Sequence, residues 1–188
     1  MRALSNPLLM KWFNSVMRVS SALRSSLGGG QDAELRLPLK GRQANCRAGH
    51  VYLVGAGSGD AELLTLKAAR LLMQADAVVY DRLVGDEVLS LIPSSRQRYY
   101  VGKARGHHSV PQAEIGALMV KLAREGKSVV RLKGGDPAVF ARMGEELDAL
   151  AAANVPATIV PGITAASAAA ACMGIPLTDR GHAQQLRF

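Results

Sequence analysis

Two short glycine-bearing segments hold the residues of this chain best suited to chemistry. Arg131-Leu-Lys-Gly-Gly-Asp-Pro137 is the first, and Pro161-Gly-Ile-Thr-Ala-Ala166 follows about thirty residues later. Each comes after a β-type apolar run and opens onto a helix-like stretch. Glycine lets backbone approach a ligand closely, and the first turn of a helix offers unpaired N–H groups. A third such turn, Gly55-Ala-Gly-Ser-Gly-Asp60, ends the apolar run Val51–Ala56. Two charged residues fall at equivalent places: Asp81 after Ala75–Tyr80, and Lys103 after Arg98–Val101. In parallel α/β sheets ligands bind outside the carboxyl ends of the strands. The chemistry expected is that of one small-molecule site written in loops.

The elements that must position these loops alternate in type. The expected strands are Val51–Ala56, Ala75–Tyr80, Arg98–Val101, Lys127–Leu132 and Ala157–Val160. Between and after them come helical segments: Glu62–Met73 with apolar spacing at Leu63, Leu64, Leu66, Leu71 and Leu72, a short Asp86–Leu91, a helix from Pro111 at its first position to Arg124, Gly144–Ala153, and the alanine-rich Ala165–Met173. This order predicts an α/β fold: a mostly parallel five-stranded sheet with helices on both faces. Gly57, Asp81, Lys103, Asp136 and Thr164 then gather at one edge.

Composition narrows the function classes. The net charge of +8 is concentrated in residues 1–50, which hold eight Lys/Arg against two Asp/Glu. Aromatic residues make up only 4%, with no basic-aromatic stripe, so nucleic acid is not the expected partner. The first thirty residues are basic and rich in Ser and Leu, a composition shared by transit peptides and by poorly ordered tails; the latter is the preferred reading. Residues 1–48 are thus expected to form a basic extension, 49–180 the domain, and 181–188 the start of something further. Ala149 to Thr178 carries no charge and is long enough to cross a bilayer, but Pro156, Pro161 and Pro176 divide it. It reads as a buried strand, a turn and a tightly packed helix, with no membrane association. Cys46 and Cys172 are far apart, compatible with a reducing cytoplasm and with neither a disulfide nor a metal spacing.

Rival chemistries fit less well. Gly55-Ala-Gly57 and the later Asp81 suggest a dinucleotide fingerprint, but its third glycine is Asp60, a carboxylate that would compete with a pyrophosphate. Asp60 is better suited to capping the Glu62–Met73 helix. No Gly-Lys-Ser/Thr follows a glycine loop, and the adjacent His107-His108 pair has no zinc spacing, so no metal site is expected.

Taken in order, Val54-Gly-Ala-Gly-Ser-Gly-Asp60, Tyr80-Asp-Arg-Leu-Val84, Val101-Gly-Lys103, Pro111-Gln-Ala-Glu-Ile115, Arg131-Leu-Lys-Gly-Gly-Asp-Pro137, Gly144-Glu-Glu146, Pro161-Gly-Ile-Thr-Ala-Ala166 and Gly174-Ile-Pro-Leu-Thr178 carry a resemblance. The stretch from about His50 to about Gln185 resembles the uroporphyrinogen-III C-methyltransferases of the tetrapyrrole methylase family. That resemblance implies an enzyme of the cytoplasm that uses S-adenosyl-L-methionine to methylate uroporphyrinogen III twice, giving precorrin-2 for sirohaem, cobalamin or haem d1. It implies Ser58, Gly134, Gly135, Asp136, Val139, Thr164 and Ala165 at the cofactor. It implies Asp81 as proton acceptor and Lys103 as proton donor or carboxylate anchor, and Arg105 and Arg142 at the substrate. Arg131 and Lys133 are expected only to line the domain surface.

The chain departs from the family in three places. Gly-Lys-Arg-Ala-Gly becomes Gly102-Lys-Ala-Arg-Gly106, so Ala104 stands where an arginine is usual. The Gly-Arg-Gly-Gly before Glu145 becomes Ala141-Arg-Met-Gly144. The resemblance also stops at Phe188, where the family continues into a second α/β domain that closes the cleft and supports a homodimer. The expectation is therefore a truncated, inactive chain, the alternative being a non-catalytic remnant that assists a partner.

Overall fold

The computed structural model describes residues 46–102 and 110–187. Strands β1 (Val51–Gly55), β2 (Ala77–Tyr80), β3 (Gln97–Tyr100), β4 (Val129–Lys133) and β5 (Ala157–Val160) form one sheet in the order β3-β2-β4-β1-β5. Helices α1 (Leu66–Gln74), α2 (Asp86–Ser90), α3 (Gln112–Arg124), α4 (Met143–Ala152) and α5 (Ala165–Met173) come between and after them. Every strand pairing is parallel, so the sheet is more uniform than the mostly parallel one expected.

Alternation along the strands explains the two-faced burial, because successive side chains point to opposite faces. Tyr52, Val54, Val78, Val130 and Leu132 turn to one face and pack with Ala68, Leu71 and Leu72 of α1 and Val88 of α2. Val51, Leu53, Ala77, Val79 and Val129 turn to the other, against Ile115, Met119 and Leu122 of α3 and Leu150 of α4. Central strands covered on both sides read as continuous apolar runs, as β1 and β2 do, whereas β4 also carries Arg131 and Lys133.

Several boundaries differ from the sequence reading, each for a local reason. The Glu62–Met73 helix is split. Asp60 Oδ1 accepts the Glu62 N–H at 2.8 Å and caps only a 3-10 turn, Ala61–Leu63. Helix α1 starts afresh at Leu66, where Thr65 Oγ1 accepts the Ala68 N–H at 3.2 Å. Pro111 stands one position before the α3 helix, in extended backbone (ψ 144°), rather than inside its first turn. The uncharged span is cut into the end of α4, β5 and α5; no helix among the described residues is long and apolar enough to cross a membrane. Its strand is not buried as expected. Strand β5 is an edge paired only with β1, and Ile159 is exposed, while α5 buries just Ala168 and Ala170.

A polar clasp joins the starts of β2 and β4. Asp76 Oδ2 accepts the Ser128 hydroxyl at 2.6 Å and its backbone N–H at 3.0 Å, while Arg96 Nη1 donates to Oδ1 at 3.3 Å. Ser128's side-chain and backbone hydrogen bonds hold the Asp76 carboxyl below its ordinary value of 3.8. A depressed carboxyl contributes stability that is complete above pH 3.8 and is lost as pH falls through the folded value. Urea unfolding at a series of acidic pH values is therefore expected to show a slope that Asp76→Asn flattens, with little difference between the two proteins' slopes near neutrality.

Candidate active site

Three loops at the carboxyl edge of the sheet are laced together by their backbones. After β1 and β4, the Gly57 N–H donates to Gly135 carbonyl oxygen at 3.1 Å, and the Gly135 N–H returns to Gly57 carbonyl oxygen at 2.7 Å. Both glycines adopt left-handed backbone, φ 66° and 67°, which side chains disfavour. Asp136 ties in the loop after β5: its Oδ2 accepts the Gly162 N–H at 3.0 Å and its Oδ1 the Ala138 N–H at 2.7 Å. The three loops approach so closely that a Cβ on Gly55 would come within 2.6 Å of both the Gly135 oxygen and the Gly162 nitrogen.

Beside this seam opens a cleft of about 670 Å³. Its lining includes Ser58, Asp81, Gly134, Gly135, Asp136, Val139, Arg142, Thr164 and Ala165, nine of the eleven residues singled out from sequence. The other two, Lys103 and Arg105, lie outside the described residues, as does Ala104. Some of the nine have structural duties as well. Thr164 Oγ1 caps α5 by accepting the Ser167 N–H at 3.1 Å, and both Asp136 oxygens are engaged by backbone. Arg142 forms a two-pronged pair with Glu145, both contacts 2.7 Å, on the exposed rim. That pair lifts the Arg142 guanidinium and lowers the Glu145 carboxyl from their ordinary values, chiefly through their mutual hydrogen bonds.

The cleft floor corrects the expectation for Arg131 and Lys133. Neither lines the domain surface: both are buried, on the α3/α4 face of β4. Between them lies Glu146, with 0% exposure. Glu146 Oε1 accepts Arg131 Nε at 3.0 Å and Gln112 Nε2 at 3.0 Å, and Oε2 accepts Lys133 Nζ at 2.8 Å. Arg131 then extends Nη2 to Asp81 Oδ2 at 3.2 Å, and Nη1 to the Leu132 carbonyl at 3.0 Å. Asp81 Oδ1 accepts the Leu83 N–H at 3.1 Å. Two cations and two carboxylates thus balance beneath the cleft. Burial pushes the Lys133 ammonium below its usual range against the opposing pull of Glu146.

Sequence reasoning missed Glu146 and Gln112. A signal for Glu146 existed: Met143, Leu147 and Leu150 mark the inward face of α4, and Glu146 is at helical spacing with Met143 and Leu150. A carboxylate on an apolar stripe implies a buried cation opposite it.

Residues 50–187 match the family of Tetrapyrrole (Corrin/Porphyrin) Methylases. The chain belongs to that family. Among curated tetrapyrrole methylase relatives, it is 58% identical over 152 residues to the siroheme synthase of Hahella chejuensis, covering 80% of this chain and 32% of that one. The siroheme synthase of Acinetobacter baylyi is 61% identical over 140 residues, covering 74% and 31%. The chain therefore spans about a third of the length of these relatives. Uroporphyrin-III C-methyltransferase from Thermus thermophilus has the same fold, with a TM-score of 0.62 at 52% identity, over 72% of this chain and 57% of that one. The Thermus enzyme complexed with S-adenosylhomocysteine superposes with a TM-score of 0.60 at 50% identity, over 72% and 53%.

Removing one partner of a buried ion pair strands the others and costs about 3–5 kcal/mol. Glu146→Ala is expected to lower unfolding stability by about that amount in urea titrations, since it leaves Arg131 and Lys133 without their shared carboxylate. Arg142→Ala, which breaks only an exposed pair, is expected to leave the midpoint unchanged.

Proposed function

We propose that this chain is a donor-binding domain for S-adenosyl-L-methionine and serves the C-methylation of uroporphyrinogen III, the two-step methylation that yields precorrin-2. The observation that carries the reading is the laced glycine cleft, in a fold whose Thermus relative was solved with S-adenosylhomocysteine at 50% identity.

The residues present fit such a donor. The seam is lined by backbone from Gly57, Gly134 and Gly135, where added side chains would intrude or strain the chain. A sulfonium cation suits a cleft bordered by backbone and by the carboxylates of Asp81 and Asp136. Asp60 also occupies an N–H at the turn where a dinucleotide would need free donors. Ser58, Gly134, Gly135, Val139, Thr164 and Ala165 would hold the donor, and Asp136 would keep the loops after β4 and β5 in register around it.

When bound, S-adenosylmethionine supplies an electrophilic methyl group to an electron-rich carbon. The chain's contribution is alignment, since in-line displacement depends on holding donor and acceptor together. Carbon substitution on a pyrrole system releases a proton, and Asp81 is the carboxylate that would accept it. Arg131 fixes Oδ2 of Asp81 and the Leu83 N–H fixes Oδ1, so the side chain is held at the cleft wall rather than rotating freely. Arg142 would exchange Glu145 for a substrate carboxylate, because an exposed ion pair opens at little cost. Lys103 and Arg105 are proposed for the same acceptor side on resemblance alone.

Two measurements test this. Calorimetry is expected to detect S-adenosylhomocysteine binding, weakened in Asp136→Ala, with no NAD binding; equal affinity for NAD would defeat the reading. In a siroheme synthase relative carrying this domain in place of its own matching third, Asp81→Asn is expected to keep S-adenosylhomocysteine affinity and lose methyl transfer to uroporphyrinogen III. Retained turnover would leave Asp81 a positioning role only.

A further inference from the structure

Leu83 and Phe140 are the two most exposed large apolar side chains among the described residues, at 77% and 86%. Both line the same cleft, from loops after different strands: Leu83 after β2, Phe140 after β4. Apolar groups are ordinarily scattered singly over a surface; two converging on one concave site mark a binding surface.

Each is held in place by its backbone. The Leu83 N–H is tied to Asp81 Oδ1, and the seat is so close that a Cβ on Gly134 would lie 2.7 Å from the Leu83 Cβ. Phe140 has φ 51°, and Arg142, two residues on, φ 52°; these are two of the three non-glycine residues with left-handed backbone among those described. Such conformations are costly for residues bearing a Cβ, and they collect at sites where a side chain must be aimed. An arginine accompanies each apolar group: exposed Arg82 precedes Leu83, and Arg142 follows Phe140 on the exposed rim.

We propose that Leu83 and Phe140 are apolar jaws that grip a pyrrole face of the tetrapyrrole, while Arg82 and Arg142 meet its peripheral carboxylates. This rests on the tetrapyrrole reading above and adds to it the residues that sense the ring rather than the charge. An octacarboxylate macrocycle is apolar on its faces and anionic at its edge, which matches Leu83, Phe140 and Arg142 in the cleft lining and exposed Arg82 next in sequence to Leu83. A small polycarboxylate without a ring would use the arginines and leave the jaws empty.

The test uses the full chain with uroporphyrinogen III under anaerobic reducing conditions, bound ligand being read by equilibrium dialysis and oxidation to the fluorescent porphyrin. Leu83→Ala and Phe140→Ala are each expected to weaken that binding by roughly tenfold, the loss of one buried apolar side chain. Phe140→Trp is expected to restore it. Leu83→Ala keeps the Cβ that sits against Gly134, and Phe140→Ala removes an exposed ring, so S-adenosylhomocysteine affinity and the thermal midpoint are expected to stay as in the parent. Butane-1,2,3,4-tetracarboxylate, a polycarboxylate without a ring, is expected to bind all variants alike.

Unchanged tetrapyrrole affinity in both alanine variants, or no tetrapyrrole binding by a parent chain that binds S-adenosylhomocysteine, overturns the proposal and leaves the donor reading standing. Loss of S-adenosylhomocysteine binding in the parent itself removes the donor reading, and the jaws with it. If Phe140→Ala instead converts a dimer to a monomer in sedimentation while tetrapyrrole affinity holds, the jaws face a second copy and the proposal is wrong.

Discussion

The carboxylate of Glu146 lies between Arg131 and Lys133 with no contact with solvent, and the cleft end of the domain is organised around it. Strand β4 turns Val129, Arg131 and Lys133 to one face, so the apolar core on that side gives way to two cations as the strand reaches the site. Two charges of one sign cannot be buried side by side without a counter-charge. Glu146 supplies it from the first turn of α4, where the helix dipole also favours an acid. That contact frees the far end of the Arg131 guanidinium to reach Asp81, so a helix on the sheet's face governs a side chain at its edge.

Backbone lacing complements this charge network. The floor is set by side chains, but the seam beside it is made from reciprocal amide bonds between Gly57 and Gly135, and from the two oxygens of Asp136. A glycine loop that must approach another loop cannot carry side chains to hold it, so the bonds have to come from the main chain or from one well-placed carboxylate. Asp136 serves that second purpose, and its oxygens are spent on loop geometry.

Much of this was legible in the residues. The alternation of apolar runs and helical spacings gave the sheet and the two covered faces, since periodicity reports burial directly. Glycine turns after strands gave the site, because the topology brings strand ends together whatever the strand order. The split between Ala61–Leu63 and α1 was not legible: Leu63 and Leu64 continue the helical pattern, and only the capping hydrogen bond of Thr65 decides where the helix begins. Nor was the burial of Arg131 and Lys133, because a cation within an apolar strand becomes intelligible only when its partner on another element is known. The edge position of β5 was hidden for a related reason. Its sequence is as apolar as that of a central strand, and strand order is a property of the whole sheet.

Strand order has a consequence for how the domain comes into being. Strands β1 and β2 are never neighbours; β4 lies between them and pairs with both. A ribosome releasing this chain from its amino end delivers β1, α1, β2, α2, β3 and α3 before the one strand that can join β1 to the β2–β3 pair. Until Val129–Lys133 emerges, two apolar strand surfaces wait without their partner, a state prone to wrong pairing and to capture by chaperones. The strand that joins the two halves carries Arg131 and Lys133, so the two cations of the cleft floor arrive before Glu146, the carboxylate on α4 that balances them.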